Sequence, residues 1–288
     1  MKPVLTDTIT APAPSGTAAV RSEQATTFSV LMCPPTHFTV QYAINPWMNP
    51  DIPTDTAAAN RQWQELRETY LRLGYDVQVV EPVAGLVDMV FAANGGFTLD
   101  GKAYGARFLH AERAPEGDAY LRWFEQSGFD VHRPRYTNEG EGDFLLCGET
   151  ILAGHGFRTS TEAHDEVRGI FDREVVSLRL IDPAYYHLDT ALTVLDGRTI
   201  AYLPAAFDEA GRAELAHRYP DAILVDEAEA AVLGLNAVSD GHTVIHAPQA
   251  RKFAADLRAR GFETVGVALP ELLLGGGGIK CCTQELRR

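Results

Sequence analysis

The C-terminal segment 274–284, LGGGGIKCCTQ, combines four glycines with two adjacent cysteines. Glycine has no Cβ, so such a run lets the backbone approach a ligand closely. A phosphate-binding loop would need Gly-Lys-Ser/Thr at the start of a helix, and the two cysteines after Lys280 exclude it. A cysteine after a glycine turn is a nucleophile where a base or cation lowers the pKa of its thiol. Adjacent cysteines can equally be buried and unreactive, or joined in a strained disulfide.

A second segment, 185–190, reads YYHLDT and carries a histidine and an acid two residues apart. Strand-type alternation predicts that His187 and Asp189 lie on one face of a strand. A histidine can protonate a leaving group, and a carboxylate can hold a cation. When this segment is considered alone, the alternative to a catalytic role is that His187 is a core residue whose ring is hydrogen-bonded within the fold.

Two further segments place acids beside glycines. Residues 138–143, NEGEGD, have two interpretations. In one they form an ordinary turn, and in the other their acids orient a histidine or hold a guanidinium. Residues 88–96, DMVFAANGG, predict a strand that runs into a glycine turn, with Asp88 and Asn94 towards its ends.

The elements that must position these side chains follow a recurring pattern. Residues 59–73 have buried-type residues at spacings of three and four, which predicts an amphipathic helix, and Gly74 ends it. Helix, glycine, aromatic residue, acid and strand recur at Gly128 and Gly261, and weaker copies occur before residues 175–180 and 222–225. Five helix–strand units, with strands and helices alternating throughout, predict one pseudo-symmetric α/β domain.

Composition restricts the function classes. The chain has 288 residues, of which 45% are hydrophobic and 22% charged, as in a globular protein. Asp and Glu number 39 against 25 Lys and Arg, so the net charge is −14. Such a surface repels nucleic acid and anionic lipid, and is compatible with a cationic substrate. No run approaches the roughly 20 apolar residues of a membrane span.

The chain divides into a short tail and one long domain. Residues 1–27 are rich in Ala, Thr and Pro and lack the apolar core of a secretory signal, which predicts a flexible tail and a cytoplasmic protein. Residues 28–288 are predicted to form a single catalytic domain. The four cysteines, at 33, 147, 281 and 282, do not make a disulfide scaffold in a chain of this length.

Taken together and in this order, the Glu-Gly-x-Gly-Asp, His-Leu-Asp and Gly-Gly-Gly-x-x-Cys-x-Thr segments resemble the guanidino-group-modifying enzymes of the pentein superfamily. That superfamily includes arginine deiminases, agmatine deiminases, dimethylarginine dimethylaminohydrolases, amidinotransferases and arginine dihydrolases. The resemblance covers nearly all of the chain after the tail, and residues 32–48 look like the superfamily's opening strand and loop. It implies an α/β propeller of five pseudo-repeated ββαβ units.

The resemblance also implies roles for individual residues. Cys281 matches the nucleophile, which leaves Cys282 a structural residue, and His187 matches the general acid/base. Glu139 is the carboxylate expected to orient the histidine, with Glu141 as the alternative because related enzymes have a motif one residue shorter. The residues expected to bind the substrate are Asp88, Asn94 and Asp189 at the guanidinium, Arg113 and Arg158 at the amino-acid carboxylate, and Asn45 in the opening loop.

The expected reaction is hydrolysis of a guanidino group through a covalent thiouronium intermediate. It requires no cofactor and no metal, and no zinc-type Cys/His spacing occurs. The expected partner is a small arginine-like cation. Binding of nucleic acid or of a membrane is not expected. Whether the protein forms a homo-oligomer is an open question at this point.

Asn94 selects among members of the superfamily, because deiminases carry an aspartate at this point. Phe-Ala-Ala-Asn resembles arginine dihydrolases, which convert arginine to ornithine, carbon dioxide and two ammonia. The runner-up is a dimethylarginine dimethylaminohydrolase, because Asp88-Met89-Val90-Phe91 fits that group. Arginine deiminase and amidinotransferase follow, and a catalytically inactive pentein that serves as a binding module is the non-enzyme alternative.

Overall fold

The computed structural model describes residues 28–288, and the predicted tail lies outside them. Five three-stranded sheets account for the strands of this part of the chain. In each sheet the middle strand pairs antiparallel with one neighbour and parallel with the other. In chain order the strands are β1 Ser29–Met32, β2 Asp76–Val79, β3 Gly96–Leu99, β4 Lys102–Gly105, β5 Asp130–His132, β6 Phe144–Cys147, β7 Thr150–His155, β8 Glu174–Arg179, β9 Leu192–Val194, β10 Ile200–Tyr202, β11 Ile223–Leu224, β12 Val238–Ser239, β13 Thr243–His246, β14 Glu263–Gly266 and β15 Gln284–Leu286.

A helix connects the two parallel strands in every sheet, which gives the five ββαβ units that the sequence predicts. These helices are Thr56–Arg72, Ala114–Gln126, Thr161–Phe171, Glu209–Arg218 and Arg251–Ala259. Shorter helical segments are Leu188–Ala191, Glu227–Ala230 and Pro270–Leu273, with 3₁₀ turns at Ala92–Gly95, Gly140–Gly142, Pro183–Tyr185 and Pro204–Ala206.

The first long helix shows why these segments are helical. The side chain of Asp55 accepts a hydrogen bond from the Ala58 N–H and caps the first turn. Trp63 and Leu66 belong to the stripe that this helix buries. Gly74 then has φ +84°, the left-handed conformation expected after a helix end. The third helix has no glycine there, and Asp172 adopts φ +51° instead.

The two ends of the described chain meet in one sheet. Strand β15 pairs antiparallel with β1, with Ser29 opposite Leu286, so the last strand supplies the third strand of the first unit. This closure carries the cysteine segment, which directly precedes β15, into the middle of the fold. The architecture is the pentein α/β propeller predicted from the sequence. In the described residues, no helix combines the length and apolar character needed to span a bilayer.

Two local predictions are wrong. Met89–Phe91 is not a strand: the chain turns there, with the Phe91 N–H bonded to Asp88 O, and continues as the 3₁₀ turn Ala92–Gly95. His187 and Asp189 do not alternate on a strand either, because His187 precedes the short helix that contains Asp189. In both places a buried apolar run fits a compact turn as well as a strand, and periodicity alone does not separate them.

Candidate active site

The glycine segment is shaped by close packing against the opening part of the chain. A side chain on Gly277 would clash with the ring of Phe91. Gly276 has φ +83°, and a Cβ there would lie 2.9 Å from the amide of Asn45. These contacts hold the glycine segment against Phe91 and Asn45 and so position Cys281, which follows it in the chain.

Cys281 is 3% exposed and makes three polar contacts with two side chains, those of Asp189 and Asn236. Its Sγ lies 3.4 Å from Oδ2 of Asp189 and 3.1 Å from Nδ2 of Asn236, and its backbone N–H donates to Oδ1 of Asn236. Cys281 and Cys282 are free thiols, which overturns the strained-disulfide alternative. Cys282 packs into the apolar core beside the first helix.

His187 forms a buried dyad with Glu139. Its Nε2 lies 2.8 Å from Oε2 of Glu139, and Nη1 of Arg158 donates to the same oxygen at 2.9 Å. The backbone places the ring: the Leu188 N–H, which opens the short helix, donates to Oδ1 of Asp143. The sequence offered Glu139 and Glu141 as partners of His187, and the structure brings Glu139 to it.

Glu141 points to a different network. It accepts hydrogen bonds from Nζ of Lys280 and from the guanidinium of Arg287, and it also accepts the Glu285 N–H. This buried ion cluster ties the cysteine segment to strand β15.

Asp88 and Asp189 each present a buried carboxylate oxygen without a hydrogen-bond partner among the described residues, namely Oδ1 in both cases. The other oxygen of Asp88 accepts the hydroxyl of Tyr42 at 2.8 Å. A buried, unpaired carboxylate oxygen is costly, so these two are acceptors ready for a donor from outside the fold. A guanidinium supplies such donors in a planar fork.

The acids of the site differ in their affinity for protons. Burial would raise the pKa of Glu139, but Arg158, His187 and Arg113 outweigh it and hold the pKa far below its usual range. Burial raises the pKa of Asp189 to about 7, and Lys280 only partly opposes it. Burial and the neighbouring Asp189 raise the pKa of the Cys281 thiol well above its ordinary value. The free site therefore holds Glu139 ionised and Cys281 as a thiol.

Asn94 lies inside the site. Its Nδ2 donates to the backbone oxygen of Glu139, and its Oδ1 accepts Nη1 of Arg113 at 2.9 Å. A side chain on Gly142 would clash with the amide of Asn94 and lie 3.2 Å from Cγ of His187. The amide is therefore a close neighbour of the histidine.

Three predicted substrate-binding residues are engaged with the protein itself. Arg113 forms a buried ion pair with Glu116, and Arg158 binds Glu139 and donates to a backbone oxygen of the opening loop. Asn45 uses its Nδ2 on the Tyr186 hydroxyl and Gly275 O, and its Oδ1 accepts two backbone N–H groups. The binding of a substrate carboxylate by Arg113 and Arg158, and the binding of substrate by Asn45, stay predictions.

Sequence reasoning missed Asn236, Asp143 and Tyr42, although each touches a predicted site residue. Asp143 was quoted within the Glu-Gly-x-Gly-Asp segment without a role. Asn236 and Tyr42 stand in segments with no charged or glycine-rich signature, so their types and spacing gave no signal. Among the described residues, no cluster of three or more His, Cys, Asp and Glu side chains has the arrangement of a metal site.

Comparisons with known proteins agree with this geometry. A family model described as N,N dimethylarginine dimethylhydrolase, eukaryotic, matches residues 35–288. The N(G),N(G)-dimethylarginine dimethylaminohydrolase of Mycobacterium tuberculosis is 51% identical over 282 residues, covering 98% of this chain and 93% of that protein. The bifunctional arginine dihydrolase/ornithine cyclodeaminase ArgZ of Synechocystis sp. is 38% identical, over 89% of this chain and 37% of that longer protein.

Solved structures give the same picture. The N-terminal domain of ArgZ, as a cysteine-to-serine variant bound to substrate, superposes with a TM-score of 0.88 at 36% identity, covering 91% of this chain and 98% of that one. A dimethylarginine dimethylaminohydrolase adduct matches with a TM-score of 0.74 at 18% identity, covering 89% and 98%, which supports the fold alone.

Fold and site together define a guanidino-group hydrolase of the pentein superfamily. Within that class, the chain belongs to the N,N dimethylarginine dimethylhydrolase family.

Proposed function

We propose that this enzyme is an arginine dihydrolase, which hydrolyses arginine to ornithine, carbon dioxide and two ammonia. The observation that carries the proposal is the neutral amide of Asn94 in contact with the backbone of Glu139 and close to His187. The similarity to the N-terminal domain of ArgZ over nearly all of that domain supports it.

Substrate binding uses the two acids with free oxygens. The planar guanidinium of arginine donates to Asp88 and Asp189, which fixes its carbon near Sγ of Cys281. The cation replaces the missing partners of both carboxylates. It also lowers the cost of a negative charge on the sulfur, so the thiol loses its proton when substrate is bound.

The first hydrolysis consists of the formation and then the breakdown of the thiouronium intermediate. The thiol proton passes to His187, the sulfur forms a bond to the guanidinium carbon, and one C–N bond breaks as His187 protonates the departing ammonia. Water attacks the thiouronium carbon and gives a proton to His187. The C–S bond breaks, the sulfur recovers a proton, and the ureido product forms. Glu139 stabilises the charged imidazolium in each half-reaction.

The second hydrolysis requires the site to keep a neutral ureido group. An amide side chain both donates and accepts hydrogen bonds and does not need a cation beside it. Asn94 therefore allows the ureido group to stay for a second attack. The sulfur then bonds to the ureido carbon as the second ammonia leaves with a proton from His187. Water displaces the sulfur, which recovers a proton, and the resulting carbamate releases ornithine and carbon dioxide. An aspartate there would keep Arg113 but lose the guanidinium of the substrate as a second cation after the first step, which favours release.

A second candidate is dimethylarginine dimethylaminohydrolase. The 51% identity to the Mycobacterium tuberculosis protein over 93% of its length favours it. The same machinery serves that reaction, with dimethylamine as the leaving group and citrulline as the product. Arginine deiminase, amidinotransfer, a cytoplasmic location and self-association stay predictions from the sequence.

One product assay tests the proposal. The protein is incubated separately with arginine, asymmetric dimethylarginine and agmatine, and ornithine, citrulline, ammonia and dimethylamine are separated by chromatography with mass detection. Ornithine with two ammonia per arginine is expected, and Cys281→Ser abolishes it. Citrulline and dimethylamine from dimethylarginine, with no turnover of arginine, would replace the proposal with the second candidate.

A further inference from the structure

The side-chain amide of Asn236 is bonded to the nucleophile's residue at two atoms. Its Oδ1 accepts the Cys281 N–H at 3.0 Å, and its Nδ2 lies 3.1 Å from Cys281 Sγ. The same Nδ2 donates to the backbone oxygen of Asp189 at 3.1 Å. Asn236 is fully buried, so none of these bonds competes with bulk water.

The chemistry of the neighbours fixes which way the amide faces. A backbone N–H can only donate, so the atom facing the Cys281 N–H must be the oxygen. A backbone carbonyl can only accept, so the atom facing Asp189 O must be the nitrogen. The NH₂ group has two hydrogens, and with one on Asp189 O the other is directed at the sulfur.

We propose that Asn236 is a catalytic residue whose amide stabilises negative charge on Sγ of Cys281. The inference rests on the proposed function in one respect, namely that Cys281 is the nucleophile, and holds for either candidate substrate.

The surroundings of the sulfur show why such a donor is needed. Burial and the carboxylate of Asp189 both raise the pKa of the Cys281 thiol, and a hydrogen bond from the Gly278 backbone opposes them. Lys280 is the next residue in the chain, but its Nζ is bonded to Glu141 and to Thr283 O. The ammonium of Lys280 is thus paired with Glu141. Negative charge on Sγ of Cys281 is therefore stabilised locally by neutral hydrogen-bond donors.

The same donor acts twice in the reaction. It favours the thiolate before the S–C bond forms, and it stabilises the sulfur again when water displaces it from the thiouronium carbon. Hydrogen bonds to charged groups contribute more than neutral ones, so we expect the loss of this donor to reduce kcat/KM about tenfold to a hundredfold.

Two variants test the proposal. Asn236→Asp keeps an oxygen for the Cys281 N–H but replaces the donor to sulfur with a second oxygen, and Asn236→Ala removes both. The rate at which iodoacetamide alkylates Cys281 is followed by peptide mass spectrometry from pH 6 to pH 11. Where the thiolate is the minor form, the alkylation rate falls tenfold for each unit by which the midpoint of this pH profile rises. We therefore expect alkylation rates about tenfold lower or more in both variants, with kcat reduced more than KM changes.

Asn60→Ala is the matched control. Within residues 28–288 its amide donates to the backbone oxygens of Pro35 and Thr56, so this variant loses amide hydrogen bonds without touching the sulfur. We expect its alkylation profile to match the wild type. Thermal melting of all three variants identifies those that fold. An alkylation rate unchanged in folded Asn236→Asp or Asn236→Ala protein would overturn the proposal.

The proposed function fails in a different way. If Cys281→Ser keeps turnover, Cys281 is not the nucleophile and the proposed mechanism falls with it. If Cys281→Ser is inactive while both Asn236 variants keep the wild-type alkylation rate and turnover, only the role of Asn236 is wrong.

Discussion

Nε2 of His187 lies 2.8 Å from Oε2 of Glu139, whereas Glu141, two residues along the chain, is bonded to Lys280 and Arg287. The two glutamates should therefore fail in different ways. We expect Glu139→Gln to lower kcat about a hundredfold or more, because the imidazolium loses its ionised partner. Circular dichroism and a kinetic assay on the same samples check this.

Glu141→Gln should instead lower the free energy of unfolding. Removing this acid from a buried ion cluster leaves Lys280 and Arg287 to share the carboxylate of Glu285, and we expect a cost of about 3 kcal/mol. Urea unfolding measures that loss, with Glu149→Gln as the control, because the exposed Glu149 pairs with Arg173 at the surface. A Glu141→Gln protein of normal stability and a hundredfold lower kcat would show that the wrong glutamate has been assigned to His187.

Arg158 tests whether a predicted carboxylate-binding residue acts on the substrate or on the dyad. Its guanidinium donates to Glu139 and to the backbone oxygen of Ile44. Because Arg158 helps to depress the pKa of Glu139, we expect Arg158→Gln to lower kcat and to move the acid limb of the kcat–pH profile upwards.

The contrasting result for Arg158→Gln is a KM for arginine raised tenfold or more with kcat and its pH profile unchanged. That pattern is expected if the residue binds only the substrate's carboxylate. The exposed Arg133 offers a control, since its charge neighbours are surface acids and Arg133→Gln should leave both constants unchanged.

The repeat pattern could be predicted from the sequence because most of the helix ends carry a local signal. The left-handed residues Gly74, Gly128 and Gly261 mark three of the five helix ends, and a short strand that begins with an acid follows each. The closure of β15 onto β1 was not readable, because pairing across more than 250 residues leaves no local signal. The pentein resemblance implied a propeller of five units but did not identify this strand pair.

The site was predictable where residue types carry chemistry and not where backbone geometry decides. Cys281, His187 and Glu139 were selected by motif, and the structure brings the last two within hydrogen-bond distance. The strand predicted for His187 was wrong because Asp143 caps the turn that follows the histidine, a contact 45 residues away in sequence. Asn236 was missed because a lone asparagine in an apolar stretch resembles any satisfied core amide.

Asp189 should weaken the folded state at neutral pH. Burial raises its pKa from 3.8 to about 7, so the folded protein holds this proton more tightly than the unfolded chain. Its contribution to stability is complete below the unfolded pKa and is lost as the pH rises through about 7. Asp189→Asn does not ionise, and we expect it to be more stable than wild type by about 3 kcal/mol at pH 8.

The advantage of Asp189→Asn should shrink towards zero near pH 4, where the wild-type carboxyl is protonated. Urea unfolding at pH 4, 6 and 8 measures it, and the exposed Asp118→Asn should show no such trend. A difference between Asp189→Asn and wild type that is constant across these pH values would contradict a raised pKa for Asp189. The variant should also be inactive, since it loses a carboxylate of the guanidinium clamp.

Asn94→Asp tests the step that separates one hydrolysis from two. The new carboxylate keeps the bond from Arg113, but it replaces the donor to the Glu139 carbonyl with an acceptor and adds a charge beside the dyad. Arg113 pairs with that charge, but a neutral ureido group does not supply the second cation that the guanidinium of the substrate supplied, so we expect citrulline to leave before the second attack. The ratio of ornithine to citrulline formed from arginine should fall about tenfold. Asn60 lies in the first helix, where its amide donates to the backbone oxygens of Pro35 and Thr56, and Asn60→Asp should keep the wild-type ratio. Continued formation of ornithine by folded Asn94→Asp protein, with no citrulline accumulating, would show that the amide does not control retention of the intermediate.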